Sequence, residues 1–444
     1  METRVSTSSF FARTLDFLGL DRNIMVMMAA MLLQSVGTQL WLGYTVKVLD
    51  ALKAAGWMIG FYGAISAFMS AVAPYPAGLL SDRLGRGHAL ILASSLALAG
   101  YAIYLVAPTW WVFIPGAILV RFAGSFRFMS SLALTGDRLR EQRRAVSIGI
   151  QSIFSRLPRV ISPPLGGILI AYMVMRKGSG AEISGEAVQT SGLLHGFRWA
   201  VAITIALTVI GIMIQYRYYR LPPPKQDDSP LHPFHVFRHM RGDLKRLLLA
   251  DSLVRVGMRL YMTFTALYVL NVLRRGYVEW GSLQSLVAVT SIITYIPAAK
   301  LADRAGRHSR RPFIATTFFF FSVYPLALVL APSAAWLIPV FVINGLREAG
   351  EPARKALIMD LAIQSALGRQ MGTYYMVRGI LISMAPLLGG LLWGWKPMSP
   401  FILGSVISAV GFLWFVLDGI LFRSKNPIGG SPDSIRTRGG ITSR

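Results

Sequence analysis

The stretch Pro76-Ala77-Gly78-Leu79-Leu80-Ser81-Asp82-Arg83-Leu84-Gly85-Arg86 returns 221 positions later as Pro297-Ala298-Ala299-Lys300-Leu301-Ala302-Asp303-Arg304-Ala305-Gly306-Arg307. Each copy is a short charged turn between two long apolar runs, and the spacing is almost half of the 444 residues. Few folds accommodate that pattern. It asks for two similar halves, each of which crosses an apolar phase several times. Other features keep the same offset: Asp137 answers to Asp360 at 223, Arg156 to Arg378 at 222, and Pro163-Pro164-Leu165-Gly166-Gly167 to Pro386-Leu387-Leu388-Gly389-Gly390 at 223.

The apolar runs are long enough for that phase to be a lipid bilayer, about 20 residues each. The chain is 54% hydrophobic and only 15% charged, with a mean hydropathy of +0.53, outside the range of a soluble domain. Twelve spans are expected, at about 23–46, 57–80, 89–107, 110–134, 147–173, 198–216, 247–270, 280–301, 313–331, 334–359, 371–394 and 400–422. The polar run Leu221-Pro222-Pro223-Pro224-Lys225-Gln226-Asp227-Asp228 cannot stay in lipid. It divides the chain into a cytoplasmic segment 1–22, a six-helix bundle 23–217, a linker 218–246, a second bundle 247–422 and a disordered tail 423–444. Met1–Arg22 is read as that cytoplasmic segment, because the apolar run after it is too long for a cleavable leader.

A formal charge of +25 would suggest nucleic acid, but the basic residues lie in short loops, which is the positive-inside pattern of a membrane protein. Arg83, Arg86, Arg138, Arg140, Arg217, Arg304, Arg307 and Arg423 fall on one side with both termini and the linker. The other side has only Lys53, Arg176, Lys177, Arg274, Arg275 and Lys396. Both termini are therefore expected in the cytoplasm, in a plasma membrane such as the bacterial inner membrane. The chain has no cysteine, which excludes disulfides, thiolate metal sites and thiol catalysis. No nucleotide-binding motif occurs, so ATP-driven transport is not expected.

The repeated turn is the motif between helices 2 and 3 of the major facilitator superfamily, roughly G-x-L-x-D-R-x-G-R-[KR]. The chain resembles that family over about residues 20–422. Gly78, Leu80, Asp82, Arg83, Gly85 and Arg86 match the motif, with Gly87 in place of the last basic residue. The second copy keeps Asp303, Arg304, Gly306 and Arg307 but has Ala299 for the first glycine. The resemblance implies an all-α membrane protein of twelve transmembrane helices in two pseudo-symmetric six-helix bundles. It also implies secondary active transport by alternating access, with no enzymatic activity, cofactor or metal, and function as a monomer.

The resemblance further implies a latch at the cytoplasmic face of the outward-open state. Gly85 and Gly306 permit the tight turn, and Asp82 and Asp303 suit the positive end of a neighbouring helix. Symmetry suggests two clusters, Asp82/Arg86/Asp137 and Asp303/Arg307/Asp360.

Charges inside a bilayer are costly and mark a cavity or a buried pair. They collect in spans 4, 5, 7, 10 and 11 and are absent from the interiors of spans 3, 6 and 9, which are lipid-facing in this superfamily. Arg121, Arg156, Arg255, Arg259, Arg347 and Arg378 outnumber Asp251, Glu348 and Glu351. The surplus suits an anionic solute, a carboxylate or phosphate ester, which guanidinium binds through paired hydrogen bonds. Arg156 and Arg378 are favoured for contact because they are deep and symmetry-related. The alternative is that these arginines only tie helices together. Asp251, Arg255 and Arg259 form one stripe at four-residue spacing. Pro352 is expected to loosen span 10.

Coupling to protons needs a titratable group. Span 1 offers none, which leaves Glu348, Glu351 and Asp251, with Glu351 favoured for its flanking arginines. Pro163-x-x-Gly166-Gly167 resembles the helix 5 motif of antiporters, with Ser162 in place of its leading glycine. Arg121-Phe122-Ala123-Gly124 is one residue short of the antiporters' helix 4 pattern. Efflux of amphipathic drug-like compounds is thus an alternative, and a receptor or scaffold without transport is a third. His232, His235 and His239 share a face of the linker and are read as a surface helix.

Overall fold

The computed structural model describes residues 22–138, 141–178, 185–219, 233–304, 310–362 and 367–421. These form twelve long helical rods, a short helix Pro233–Arg238 in the linker and, among the described residues, no strand. In chain order they are α1 (Arg22–Trp41 continued by Thr45–Ala51), α2 (Gly56–Val72 continued by Pro74–Leu84), α3 (Arg86–Val106), α4 (Phe113–Arg138), α5 (Glu141–Gly178) and α6 (Gly185–Tyr218). The second half has α7 (Gly242–Met262 continued by Thr265–Leu267 and Tyr268–Val272), α8 (Tyr277–Arg304), α9 (Arg310–Val329), α10 (Leu337–Leu346 continued by Glu351–Leu361), α11 (Leu367–Ser383 continued by Ala385–Trp395) and α12 (Ser399–Leu421). Eight helices are long and apolar enough to cross a bilayer, or nine if the bent α7 counts as one span. α1 runs past its expected end, so Lys47 and Asp50 belong to its last turn.

Packing repeats with the sequence. α1 lies on α5 and α6 as α7 lies on α11 and α12, and α3 lies on α4 and α6 as α9 lies on α10 and α12. The breaks repeat as well: α1 passes through a 3-10 turn at Leu42–Tyr44, and α7 bends by 41° just after Met262, 221 positions on. Lys53 and Arg274, at the same offset, each end their helix with a positive φ, 62° and 52°. The outer surface carries apolar side chains such as Ile210, Met213, Leu330, Val406 and Leu417, as contact with lipid requires.

The halves meet through α2 on α11 and α5 on α8. These seams rest on glycine. A Cβ at Gly60 would lie 2.5 Å from the Pro386 carbonyl oxygen, and one at Gly281 would lie 2.3 Å from that of Pro163. The Pro-x-x-Gly-Gly motif is explained the same way. Its first glycine, Gly166 or Gly389, presses on the backbone of α1 at Leu40 or of α7 at Leu260. Its second, Gly167 or Gly390, presses across the seam on the Tyr277 or Gly56 carbonyl. Side chains at these positions would force helices apart whose contact is the interface.

The contact is tight at one end only. α2 and α11 touch at Gly56/Gly390, Gly60/Pro386 and Ala71/Gly379, yet nothing described lies within 4 Å of a Cβ built at Gly78 or Gly372, further along the same helices. The halves thus converge at the end away from the linker, here termed the loop end, and part toward the linker end. At the loop end the Tyr44 hydroxyl lies 2.8 Å from the Pro163 carbonyl and 3.0 Å from that of Tyr277, and Asn271 donates to Asp50 at 3.0 Å. Asp50 and Asn271 are themselves 221 positions apart, so symmetry-related side chains meet where the halves join.

The turn between α2 and α3 has Gly85 at φ 81°, a backbone angle that side chains rarely adopt. Arg83 and Arg304 are exposed at the linker end. Asp360 is held by Arg310 at 2.5 Å. The side chains of Asp82, Arg86, Asp137 and Asp303, and the whole of Gly306 and Arg307, lie outside the described residues, as do His232 and the side chain of His235.

With no native cysteine, the double variant Asp50→Cys/Asn271→Cys is expected to form an intramolecular disulfide under mild oxidant. Adding Gly390→Val should lower its yield several-fold. Gel mobility after protease cleavage in the linker reads the result, and an unchanged yield would mean that the glycine seam does not hold this end.

Candidate functional site

Between the halves lies a cavity of about 450 Å³. α1, α2, α4, α5, α7, α8 and α10 line it, while among α3, α6, α9 and α12 only α9 contributes, through Tyr324. Among the described residues five arginines reach its wall, Arg121, Arg156 and Arg159 from one half, Arg259 and Arg347 from the other, against one carboxylate, Glu348. Tyr62, Tyr261, Trp280, Tyr324 and Phe341 supply aromatic walls, and Gln39, Gln284, Ser291 and Asn344 the neutral polar ones.

Glu348 is brought here by a break in α10. Residues 347–350 form turns, because Pro352 has no N–H to give and the helix restarts at Glu351 with the proline in its first turn. The freed backbone groups find partners. Arg347 Nε donates to the Asn344 carbonyl at 2.9 Å, and Gly350 N–H donates to Thr317 Oγ1 at 2.8 Å. An irregular backbone at membrane depth survives only where such partners or a cavity exist. From that turn Glu348 reaches across the seam to Arg156, at 2.9 Å, and accepts from Ser291 at 3.0 Å, while the Arg156 guanidinium stacks 4.3 Å from the Tyr295 ring centroid.

The other acids are used elsewhere. Asp251 on α7 is fully buried and accepts from Arg255 at 3.0 Å, Arg354 at 2.7 Å, Arg378 at 2.8 Å and the Tyr374 hydroxyl at 3.0 Å. Glu351 accepts from Arg354 at 2.6 Å and from Arg255. Two carboxylates and three guanidiniums thus tie α7, α10 and α11 together. The stripe Asp251/Arg255/Arg259 is divided: Arg255 turns into this network, and Arg259, one turn on, faces the cavity.

Of the six arginines expected to meet substrate, Arg121, Arg156, Arg259 and Arg347 line the cavity, whereas Arg255 and Arg378 sit in the buried network. The symmetry-related pair therefore differs in use, since Arg156 faces the cavity and Arg378 faces Asp251. Arg347 is occupied by neutral partners, the Asn344 carbonyl and the Tyr261 hydroxyl at 3.4 Å, and lies 4.8 Å from the Phe321 ring centroid. Arg159 was not among the six. Its three-residue spacing from Arg156 puts it on the same face and was the signal available.

Comparison with known proteins agrees with this architecture. The family model of the Major Facilitator Superfamily matches residues 10–346 and 256–439. An uncharacterized MFS-type transporter of Methanocaldococcus jannaschii is 18% identical over 405 residues, covering 89% of this chain and 94% of that one. Among solved structures, a POT family transporter in complex with a thioalcohol-conjugated peptide superposes with a TM-score of 0.69 at 12% identity, over 90% of this chain and 96% of that one. A human organic anion transporter, TETRAN, superposes with a TM-score of 0.59 at 14% identity, over 89% of this chain and 99% of that one. The chain belongs to the Major Facilitator Superfamily. It is an integral membrane protein and a secondary transporter, not an enzyme.

Removing one member of a buried ion network leaves the others charged and unpaired, at a cost of about 3–5 kcal/mol. Asp251→Asn should therefore lower the temperature at which the detergent-purified protein loses its monodisperse peak far more than Asp360→Asn, whose partly exposed pair is worth about 1 kcal/mol or less. Equal losses would contradict the network's role.

Proposed function

We propose that this chain carries a small anionic solute across the plasma membrane by alternating access, with the linker end in the cytoplasm and the solute bound among the cavity arginines. One observation carries the reading: five arginines and a single carboxylate line the cavity between the halves. In a low-dielectric site an uncompensated guanidinium is costly, so a surplus retained there argues for an anion as the missing partner. The basic loops at the linker end assign that end to the cytoplasm, and both termini with it. On that assignment the described conformation is inward-facing, with the glycine seam closing the outside. Both walls of this cavity come from one chain, which suits a monomer. The organic anion transporter named above shares the fold and lends nothing more.

Of the three carboxylates proposed for proton coupling, Glu348 has the better position. It is the one on the cavity wall, its side chain is 36% exposed, and its ion pair joins the two halves. Asp251 and Glu351 serve to hold α7, α10 and α11. The latch residues Gly78, Asp82, Arg83, Gly85, Arg86, Asp137, Asp303, Arg304, Gly306, Arg307 and Asp360 remain assigned to the opposite state, in which the linker end closes. Gly78 stands open here and would then meet the facing half. The aromatic walls favour one second reading, efflux of amphipathic compounds that carry an acidic group.

Liposomes containing the protein, tested with a panel of organic and inorganic anions with and without a pH gradient, examine the proposal. Anion uptake that responds to the gradient is expected. Glu348→Gln should keep anion exchange between the two sides but lose accumulation driven by the pH gradient at least tenfold. Full proton-driven accumulation in Glu348→Gln would move the coupling role to another carboxylate, and transport of cations alone would overturn the anionic reading.

A further inference from the structure

We infer that Arg121 and Arg259 form a two-sided clamp for the charged head of the solute, and that this head is a dianion such as a phosphate monoester, phosphonate or sulfate-like group. The inference rests on the anionic reading above and narrows it. The cavity arginines differ in what surrounds their charge. Arg156 has Glu348, at 2.9 Å. Arg347 has the Asn344 carbonyl, the Tyr261 hydroxyl and two aromatic faces. Arg159 is exposed. Arg121 and Arg259 are half-buried, and among the described residues no carboxylate comes within 4 Å of either. The Nε of Arg259 is buried with no hydrogen-bond partner.

The two belong together by position. Arg121 lies on α4 of the first half, about two turns from its loop end at Phe113, and Arg259 on α7 of the second, about three and a half turns from its loop end at Val272. They line the same cavity. Two like charges on the two walls of one cavity repel, and among the described residues no carboxylate lies within 4 Å to offset either. A monoanion between them would leave one positive charge uncompensated. A dianion would leave none, and a tetrahedral head can accept a forked pair from each side. Glu348 and Arg156 lie deeper toward the linker end and remain paired with each other while the head is bound above them. Tyr62 and Tyr261, on the two walls, then meet the body of the solute.

The test is calorimetric titration of the purified full-length protein in detergent with sulfate, inorganic phosphate at pH 7.5, acetate and chloride, alongside thermal unfolding without added anion. Sulfate and phosphate are expected to bind at least tenfold more tightly than acetate or chloride. Arg121→Gln and Arg259→Gln should each weaken sulfate about tenfold or more, whereas Lys396→Gln, exposed at the loop end and outside the cavity, should not. Because both arginines lack partners, neither substitution should lower the unfolding temperature, and Arg259→Met should raise it. A drop like that of Asp251→Asn would make them structural and overturn the clamp. Acetate binding as tightly as sulfate, with dependence on Arg156 alone, would also remove the clamp yet keep the anionic reading. Failure of every anion to bind would remove both. A water-soluble phosphate monoester titrated beside a lysophosphatidic acid then separates a soluble solute from a lipid head, and Arg259→Gln should weaken whichever binds.

Discussion

Lipid does not solvate charge, and much of this molecule follows from that. Each ionised group at membrane depth must find a partner, a cavity or an end of the bundle. Asp251 and Glu351 answer by gathering Arg255, Arg354 and Arg378. Arg156 answers by crossing the interface to Glu348. Asp418, on an outer helix, is ion-paired with Arg246 at 3.0 Å and accepts from Arg311 at 3.1 Å near the linker end. What remains after this sorting is the basic wall of the central cavity. The site is thus defined less by the charges that are paired than by those left over.

The second organising constraint is steric. Symmetric glycines bring α2 against α11 and α5 against α8 until backbone meets backbone, and the same helices part beyond Ala71 and Gly379. Contact over half the length of a helix pair gives an interface that can open at one end and close at the other without unfolding either half. The Pro-x-x-Gly-Gly motif, present in both halves, serves this packing directly: one glycine faces its own half and the next faces the other. Its resemblance to an antiporter signature therefore carries little information on the direction of transport.

The fold was largely legible in the sequence because its evidence is periodic. Apolar runs, a proline-rich linker and features repeating at 221–223 positions fix the helices, the division and the family. Boundaries were less legible: α1 continues to Ala51, and α5 and α6 extend beyond the expected spans. The site was legible as a list of charges and not as a set of pairs. Four-residue spacing correctly joined Asp251 to Arg255, but which way Arg378 or Arg259 turns depends on helices distant in sequence. Symmetry misled most here. Asp251 corresponds to Ala30 at the offset of 221, and Glu351 to Phe128 at 223, so the first half has no counterpart of the network that occupies Arg378. The break in α10 was foreshadowed by Pro352, though not that it would deliver Glu348 to Arg156.

The two halves are expected to rock about the basic cavity, opening one end as the other closes. Spin labels on Lys53→Cys/Lys396→Cys at the loop end, and on Arg83→Cys/Arg304→Cys at the linker end, can be placed without interference in a cysteine-free chain. Pulsed electron–electron distance measurements in liposomes, with and without a transported anion and a pH gradient, then report both ends of the same molecule. The expected result is opposite movement, with the linker-end distance shortening in the population whose loop-end distance lengthens. Distances that stay fixed, or that lengthen together, while the anion still crosses the membrane would contradict it.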